Sequence, residues 1–183
     1  MLISAALMLV MFTMLWGFGS KSHQTKQKNR CQENLQKLYL AMEIYAQDNH
    51  GDFPFFPAAL NSATALDVLV PKYNSDTALF ICPGSKDSEI PAGKPIRDRK
   101  ISYAYYMGRR IADKSEALLS DRQINTQARA ADEFAFSSTG KAPGNNHHQY
   151  GGNFLFGDGH LVTSPARVPF SLVLTQGVVL LNP

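Results

Sequence analysis

The chain has 183 residues, of which 44% are hydrophobic and 18% are charged, and its formal net charge is +3. This length leaves room for one globular domain, and the small basic excess, beside an apolar N-terminus, argues against a nucleic-acid-binding protein. The two cysteines, Cys31 and Cys82, are too few for a disulfide-rich scaffold and lack the CxxC spacing typical of zinc sites.

The chain begins with an apolar, uncharged segment over residues 2–18. Its roughly 17 to 19 residues reach the lower limit for a bilayer-spanning helix, so we predict a transmembrane anchor over residues 1–19. The polar stretch that follows contains no proline, so the helix can continue without a break. We therefore predict one helix of about 45 residues, with an amphipathic half over residues 20–50, followed by a globular domain over residues 51–183.

The second half of this helix carries an apolar stripe. Its members recur at the spacing of one helical face and are Cys31, Leu35, Leu38, Met42 and Tyr45. Gly51 supplies a stop just past the last periodic residue, and Pro54 prevents the helix from resuming. The helix should end near Asn49 and pack its stripe on the globular domain.

The globular domain has weaker local signals. We predict a short helix in residues 58–70, strands in residues 78–82, 101–107 and 129–136, and loops over residues 84–100 and 108–126, the latter with a helical turn near Ala117. The glycines of Gly157-Asp158-Gly159 indicate a hairpin turn, and residues 172–174 and 178–181 look like a final hairpin. The tyrosines at 103, 105 and 106 are interpreted as sheet and core residues.

The two cysteines leave two alternatives open. In an oxidising compartment a bond between Cys31 and Cys82 would tie the helix to residues 81–83 and close a loop of about 50 residues, which stabilises by roughly 4 kcal/mol. The alternative is a pair of buried free thiols.

Several of these features together resemble a known family. They are the run over residues 31–54, the Ile81-Cys82-Pro83 segment, the Ser102-Tyr103 pair, and His148 followed after nine residues by Asp158-Gly159-His160. In combination they are similar to prepilin-like proteins with a C-terminal His-nine-Asp-Gly signature, which are relatives of type II secretion pseudopilins and type IV pilins.

The resemblance implies an α+β, pilin-like fold, in which a long N-terminal helix continues from an apolar anchor into an amphipathic half packed on a small antiparallel sheet. It implies a non-catalytic structural subunit, membrane-anchored, of a type II secretion pseudopilus or a related pilus-like assembly. The expected partners are other pilin-like subunits, copies of the same chain, the secretion machinery and, through residues 2–18, inner-membrane lipid. The expected location is the bacterial inner membrane, single-pass, with the globular domain in the periplasm or outside the cell.

One group of residues also permits a chemical interpretation. Its titratable members are Asp132, Glu133, His147, His148, Asp158 and His160. We consider a metal site formed by His148, Asp158, His160 and Asp132, in which oxygen ligands would suit calcium and the histidines would favour zinc. The structural alternative is that Asp158 forms an Asx-type turn, next to Gly159, and that His148 hydrogen-bonds to it. No other cofactor is expected.

Two further functions remain open beside the structural subunit. One is a membrane-anchored periplasmic binding protein that holds a metal or small ligand at the turn between His148 and His160. The other is a small exported hydrolase, although the sequence has no Gly-x-Ser-x-Gly elbow. Because a nucleophile with its supporting motif is missing, we expect no enzyme activity.

Overall fold

The structure is a computed structural model that describes the backbone of residues 2–183 and the side chains of Met8, Met11 and residues 22–183. Its helices are α1 (Leu2–Asp48), α2 (Ser62–Leu66) and the short 3-10 helices Asp67–Leu69 and Thr77–Phe80. Its strands are β1 (Tyr103–Met107), β2 (Ala117–Asp121), β3 (Gly152–Phe156), β4 (Leu161–Ser164) and β5 (Val179–Leu181). They form one antiparallel sheet in the order β4-β3-β2-β1-β5.

Helix α1 buries the stripe that its sequence predicts. Cys31, Leu35, Leu38 and Met42 are fully buried in one core with side chains of the sheet, and Tyr45, the last member of the stripe, packs against that core half-buried. The helix ends at Asp48, because Gly51 takes a positive φ of 87° and its N–H donates to the Ala46 carbonyl at 2.7 Å. The predicted course and end of the helix are confirmed.

The sheet has a core on each face. Alternation along β1 sends Tyr103 and Tyr105 into the core beneath α1 and Ala104 and Tyr106 into a second core on the opposite face. The second core is closed by residues 134–136 and 166–174, which lie along the sheet without forming a continuous strand. The prediction that the tyrosines belong to the sheet and the core is confirmed.

Three other local predictions are confirmed. The strand predicted at residues 101–107 is β1, and the hairpin predicted at Gly157-Asp158-Gly159 joins β3 to β4. The predicted helix at residues 58–70 is present as α2 followed by a 3-10 turn, and Asn61 caps α2 by accepting a hydrogen bond from the Thr64 N–H at 2.8 Å.

Four local predictions are wrong. Residues 78–82 are not a strand, because the Asp76 side chain caps a 3-10 turn by accepting from the Ala78 N–H at 3.1 Å. Residues 129–136 make only isolated bridges, and residues 108–126 contain a buried strand, β2, in place of a helical turn. The final hairpin is absent from the described residues, since β5 pairs with β1.

The predicted pilin-like fold class is also wrong. A five-stranded antiparallel sheet with a core on each face dominates the described part of the chain, with one long and one short α-helix, in place of a small sheet under an anchor helix. The sheet is larger than predicted because β2, interpreted as a loop, lies at its centre.

The predicted localisation is likewise corrected. Within the residues that the structure describes, no helix is both long enough and apolar enough to cross a membrane, and this finding overturns the single-pass inner-membrane anchor. Most side chains of the segment predicted as an anchor, residues 1–19, lie outside the described residues.

Two neighbouring tyrosines of β1 provide a matched test of the core. The Tyr105 hydroxyl is buried and donates to the Pro54 carbonyl at 2.6 Å. Tyr105→Phe leaves that carbonyl without its partner, so we expect a loss of about 1 to 2 kcal/mol in the free energy of unfolding. The Tyr103 hydroxyl is equally buried but meets only a weak contact from the Asn34 side chain, short of a hydrogen bond of normal geometry. Tyr103→Phe should therefore cost clearly less than Tyr105→Phe in the same urea titration, and equal losses in both variants would contradict this expectation.

Candidate functional site

Four side chains from distant parts of the chain meet between α1 and the sheet. Cys31 comes from α1, Cys82 from the turn after the second 3-10 helix, Asp121 from the end of β2, and His147 from the loop before β3. All four are fully buried. We call these four residues the buried polar cluster.

The two cysteines of the cluster are bonded to each other. The Cys31–Cys82 disulfide joins α1 to the globular domain across a sequence separation of 51 residues. This confirms the bonded alternative of the sequence analysis, and the described chain has no free cysteine.

Asp121 is the hydrogen-bonding centre of the cluster. Its Oδ1 accepts from Asn146 Nδ2 at 3.0 Å. Its Oδ2 accepts from the Asn153 backbone N–H at 2.8 Å and from Asn153 Nδ2 at 3.0 Å, and it lies 3.1 Å from His147 Nε2. Burial alone would raise the pKa of Asp121, but the charge and hydrogen bond of His147, together with the two asparagines, hold that pKa below its usual value. The carboxylate is therefore an ionised acceptor inside the protein.

His147 stands between the carboxylate and the disulfide. Its Nε2 atom lies 3.1 Å from Asp121 Oδ2 and 3.5 Å from Cys82 Sγ. Its Nδ1 atom is buried and has no hydrogen-bond partner among the described residues. One edge of the imidazole is thus fixed by the cluster, whereas no residue that the structure describes hydrogen-bonds to the Nδ1 edge.

Lys28 and Asn153 connect the cluster to α1 about one turn before Cys31. The Lys28 ammonium donates to the carbonyls of Tyr150 at 2.8 Å and Ser164 at 3.0 Å. Asn153 Nδ2 bridges the Lys28 carbonyl, at 3.1 Å, and Asp121 Oδ2. Burial lowers the pKa of Lys28, while the charge of Asp121 opposes that shift. The polar contacts therefore hold α1 against β3 and β4 at a defined register.

The cluster also has the composition of a metal-ligand set. Each of its four residues offers one ligand atom, and these atoms all lie within 4.8 Å of one another. Asp121 is missing from the sequence-based candidates, because it lies in residues 108–126, which are interpreted from the sequence as a loop, where an aspartate is ordinary. His147 is one of the titratable residues grouped in the sequence analysis, but it is not among the four predicted metal ligands.

The Asp158-Gly159-His160 turn forms a separate, exposed unit. Asp158 Oδ1 accepts from the His160 N–H at 3.0 Å, which is the Asx-type turn that the structural interpretation predicts. The ring that bonds to Asp158 belongs to His160 and not to His148. The His160 N–H and ring together hold the pKa of Asp158 below its usual value. This turn is exposed on the β3–β4 hairpin.

The position of Gly159 in this turn requires a glycine, because of its backbone conformation and its closeness to α1. Its φ is 84°, and a Cβ atom there would lie 2.7 Å from Cε1 of Tyr39 on α1. The Tyr39 hydroxyl donates to the Gly157 carbonyl at 3.0 Å. The Asp-Gly part of the signature therefore packs the hairpin against the long helix.

The structure does not bring the four predicted metal ligands together. Asp158 and His160 lie at one end of β3, whereas His148 lies before the other end, where its ring packs near Tyr150. The five residues of β3 separate these ends by about 15 Å. Asp132 is exposed on the side of the sheet that faces away from α1. There its N–H donates to the carbonyl of Val168, a residue of the second core, at 2.7 Å.

Comparisons of the chain with protein-family models, with curated proteins and with solved structures give no match.

Proposed function

We propose that the protein is a non-catalytic structural subunit of a larger assembly, in which the N-terminal half of α1 packs against helices of neighbouring subunits. The assembly that the sequence resemblance implies is a type II secretion pseudopilus or a related pilus-like fibre. The expected partners are copies of this chain and other subunits of that assembly.

The observation that carries this proposal is the length of α1 on the N-terminal side of the residues that hydrogen-bond to the globular domain. α1 has 47 residues, and Gln27 and Lys28 already bond to the globular domain. Met11 precedes Gln27 by 16 residues, or about 24 Å along the helix axis. Met8 and Met11 are 73% and 64% exposed. A helix that presents apolar side chains far from its own domain is stabilised when another helix covers them.

The connection between α1 and the domain supports a mechanical role. A disulfide, the Lys28 ammonium and the Tyr39 hydroxyl fix the second half of the helix to the sheet. A force applied to the N-terminal half would therefore be transmitted to the domain. The His147–Asp121 pair is fully buried, and four hydrogen bonds occupy Asp121, which favours a structural role for this pair over catalysis.

A single introduced cysteine tests the proposed helix packing. Since the two native cysteines are bonded to each other, Met11→Cys supplies one reactive thiol on the exposed face of α1. If neighbouring helices pack there, mild oxidation of the full chain should convert most of the protein into covalent dimers. The products are measured by non-reducing electrophoresis and by mass.

Ser138→Cys is the matched control, because Ser138 is exposed on a loop of the globular domain. This variant should remain largely monomeric under the same oxidation. A monomeric Met11→Cys protein, or equal dimer yields for the two variants, would rule out assembly through α1.

A further inference from the structure

The donor set of the buried polar cluster matches one metal in particular. Two cysteine sulfurs, one imidazole nitrogen and one carboxylate oxygen are ligands that zinc accepts in four-coordinate sites. A set of four oxygens would instead suit calcium or magnesium. Mixed sulfur, nitrogen and oxygen donors in a group of four therefore indicate zinc among the common divalent cations.

The distances between the donors fit a tetrahedral zinc site. With ordinary zinc bond lengths, neighbouring ligand atoms lie about 3.5 Å apart for a sulfur and a nitrogen and about 3.3 Å apart for a nitrogen and an oxygen. Cys82 Sγ and His147 Nε2 are 3.5 Å apart, and His147 Nε2 and Asp121 Oδ2 are 3.1 Å apart. The two sulfurs, which are covalently bonded here, have to separate, and all the other pairs of donor atoms lie within 4.8 Å of each other.

Neighbouring residues hydrogen-bond to the donor groups, as the outer shell of a metal site does. The Gly84 N–H donates to Cys82 Sγ at 3.3 Å, an interaction that favours a thiolate. Asn146 and Asn153 orient the Asp121 carboxylate by their hydrogen bonds. These outer contacts already exist in the disulfide form, so the ligands of a metal would be positioned in advance.

The thiolate form of the reduced cluster also requires a cation. Two thiolates and the Asp121 carboxylate would place three negative charges among fully buried groups, which is costly without a partner. A divalent cation neutralises two of them. The Lys28 ammonium, which is held by the Tyr150 and Ser164 carbonyls, supplies a further positive charge that interacts with Asp121.

We propose that reduction of the Cys31–Cys82 disulfide converts the buried polar cluster into a tetrahedral zinc site formed by Cys31, Cys82, His147 and Asp121. In the reduction, an external dithiol gives two electrons and two protons to the disulfide and is itself oxidised to a disulfide. The two thiols then release their protons as zinc binds, and two sulfur–zinc bonds form. α1 is thus held to the domain by a covalent bond in one redox state and by a metal in the other.

The test uses the full chain, reduced with a phosphine that is then removed under anaerobic conditions. The probe is cobalt(II), which reports thiolate ligation by a charge-transfer band and tetrahedral geometry by its visible spectrum. We expect one cobalt ion per reduced chain, with both signals, and its displacement by zinc. The disulfide-bonded protein should give neither signal, because its sulfurs are not thiolates.

Variants distinguish the cluster from other metal-binding groups. Cys82→Ser should weaken the charge-transfer band and lower the affinity for cobalt at least tenfold, and His147→Gln should lower the affinity while both thiolate ligands remain. His160→Gln, at the exposed hairpin turn, is the matched control and should bind cobalt like the unmodified chain. Cobalt binding without a charge-transfer band, or binding that His160→Gln abolishes and Cys82→Ser leaves unchanged, would overturn the proposal.

A second measurement covers the case in which the reduced chain loses its fold. Zinc should then restore the native circular dichroism spectrum of the reduced chain but have no effect on the reduced Cys82→Ser variant. A reduced chain that neither binds cobalt nor refolds with zinc would also overturn the proposal. Neither measurement depends on assembly through α1, so this site and the proposed function can fail separately.

Discussion

Asp121→Asn should lower the free energy of unfolding by about 3 to 5 kcal/mol, because it removes a buried charge on which several hydrogen bonds converge. The substitution keeps the shape of the side chain but replaces an acceptor by an NH₂ group. At least one donor that now faces Asp121, from His147, Asn146 or Asn153, then loses its acceptor inside the protein. Urea unfolding followed by circular dichroism measures the loss.

Asp158→Asn is the matched control for this substitution. Asp158 is also an aspartate that bonds to a histidine, but its side chain is 43% exposed. Asparagine can maintain the Asx turn, so the change in unfolding free energy should stay within about 0.5 kcal/mol. A loss at Asp121 no larger than the loss at Asp158 would show that the buried carboxylate does not organise the core.

The pH dependence of the Asp121→Asn effect provides an independent check on its charge. Because the pKa of Asp121 in the folded protein lies below its usual value, its ionised form stabilises the fold above about pH 4, the ordinary range for an unfolded aspartate. This contribution is lost as the pH falls through the lower pKa of the folded state. The difference between wild type and Asp121→Asn should therefore shrink below pH 4, and a constant difference would contradict an effect of charge.

Removal of the disulfide should cost a comparable amount. The bond closes a loop with a sequence separation of 51 residues, for which the chain-entropy model gives about 4 kcal/mol. We expect that loss in the double variant Cys31→Ala and Cys82→Ala. Urea unfolding in the presence of a strong chelator measures it, since the chelator prevents a metal from replacing the bond in any reduced protein.

A reducing agent provides the control for this prediction. It should destabilise the wild type by nearly the same amount as the double substitution and should leave the double variant unchanged. A double variant that loses less than about 1 kcal/mol would show that other contacts of α1, such as those of Lys28 and Tyr39, hold the helix without the bond.

Local signals account for the parts of the fold that the sequence predicted well. The apolar stripe of α1 repeats with the period of a helix, and Gly51 ends it within a few residues of the stripe. The β3–β4 hairpin follows from the Gly-Asp-Gly turn, and β1 from its tyrosines. In each case the residues that determine the structure are close together in the sequence, so a short window contains the whole signal.

Predictions failed where a local pattern competed with contacts from elsewhere in the chain. The run over residues 78–82 has the composition of a strand, but a side-chain cap at Asp76 turns it into a 3-10 helix. Conversely, β2 has a weak signal of its own and forms because β1 and β3 pair with both of its edges. A strand at the centre of a sheet depends on its neighbours as much as on its own residues.

The candidate site was predictable from the sequence only in part. Periodicity and composition are enough to predict a long helix that carries Cys31 on its buried face and a second cysteine that can bond to it. In contrast, Asp121 and His147 are 26 residues apart in the chain, and no local pattern indicates that they meet beside that bond. A polar residue looks the same in the sequence whether it hydrogen-bonds to water or to other buried groups, because burial among distant hydrogen-bond partners is a property of the folded core.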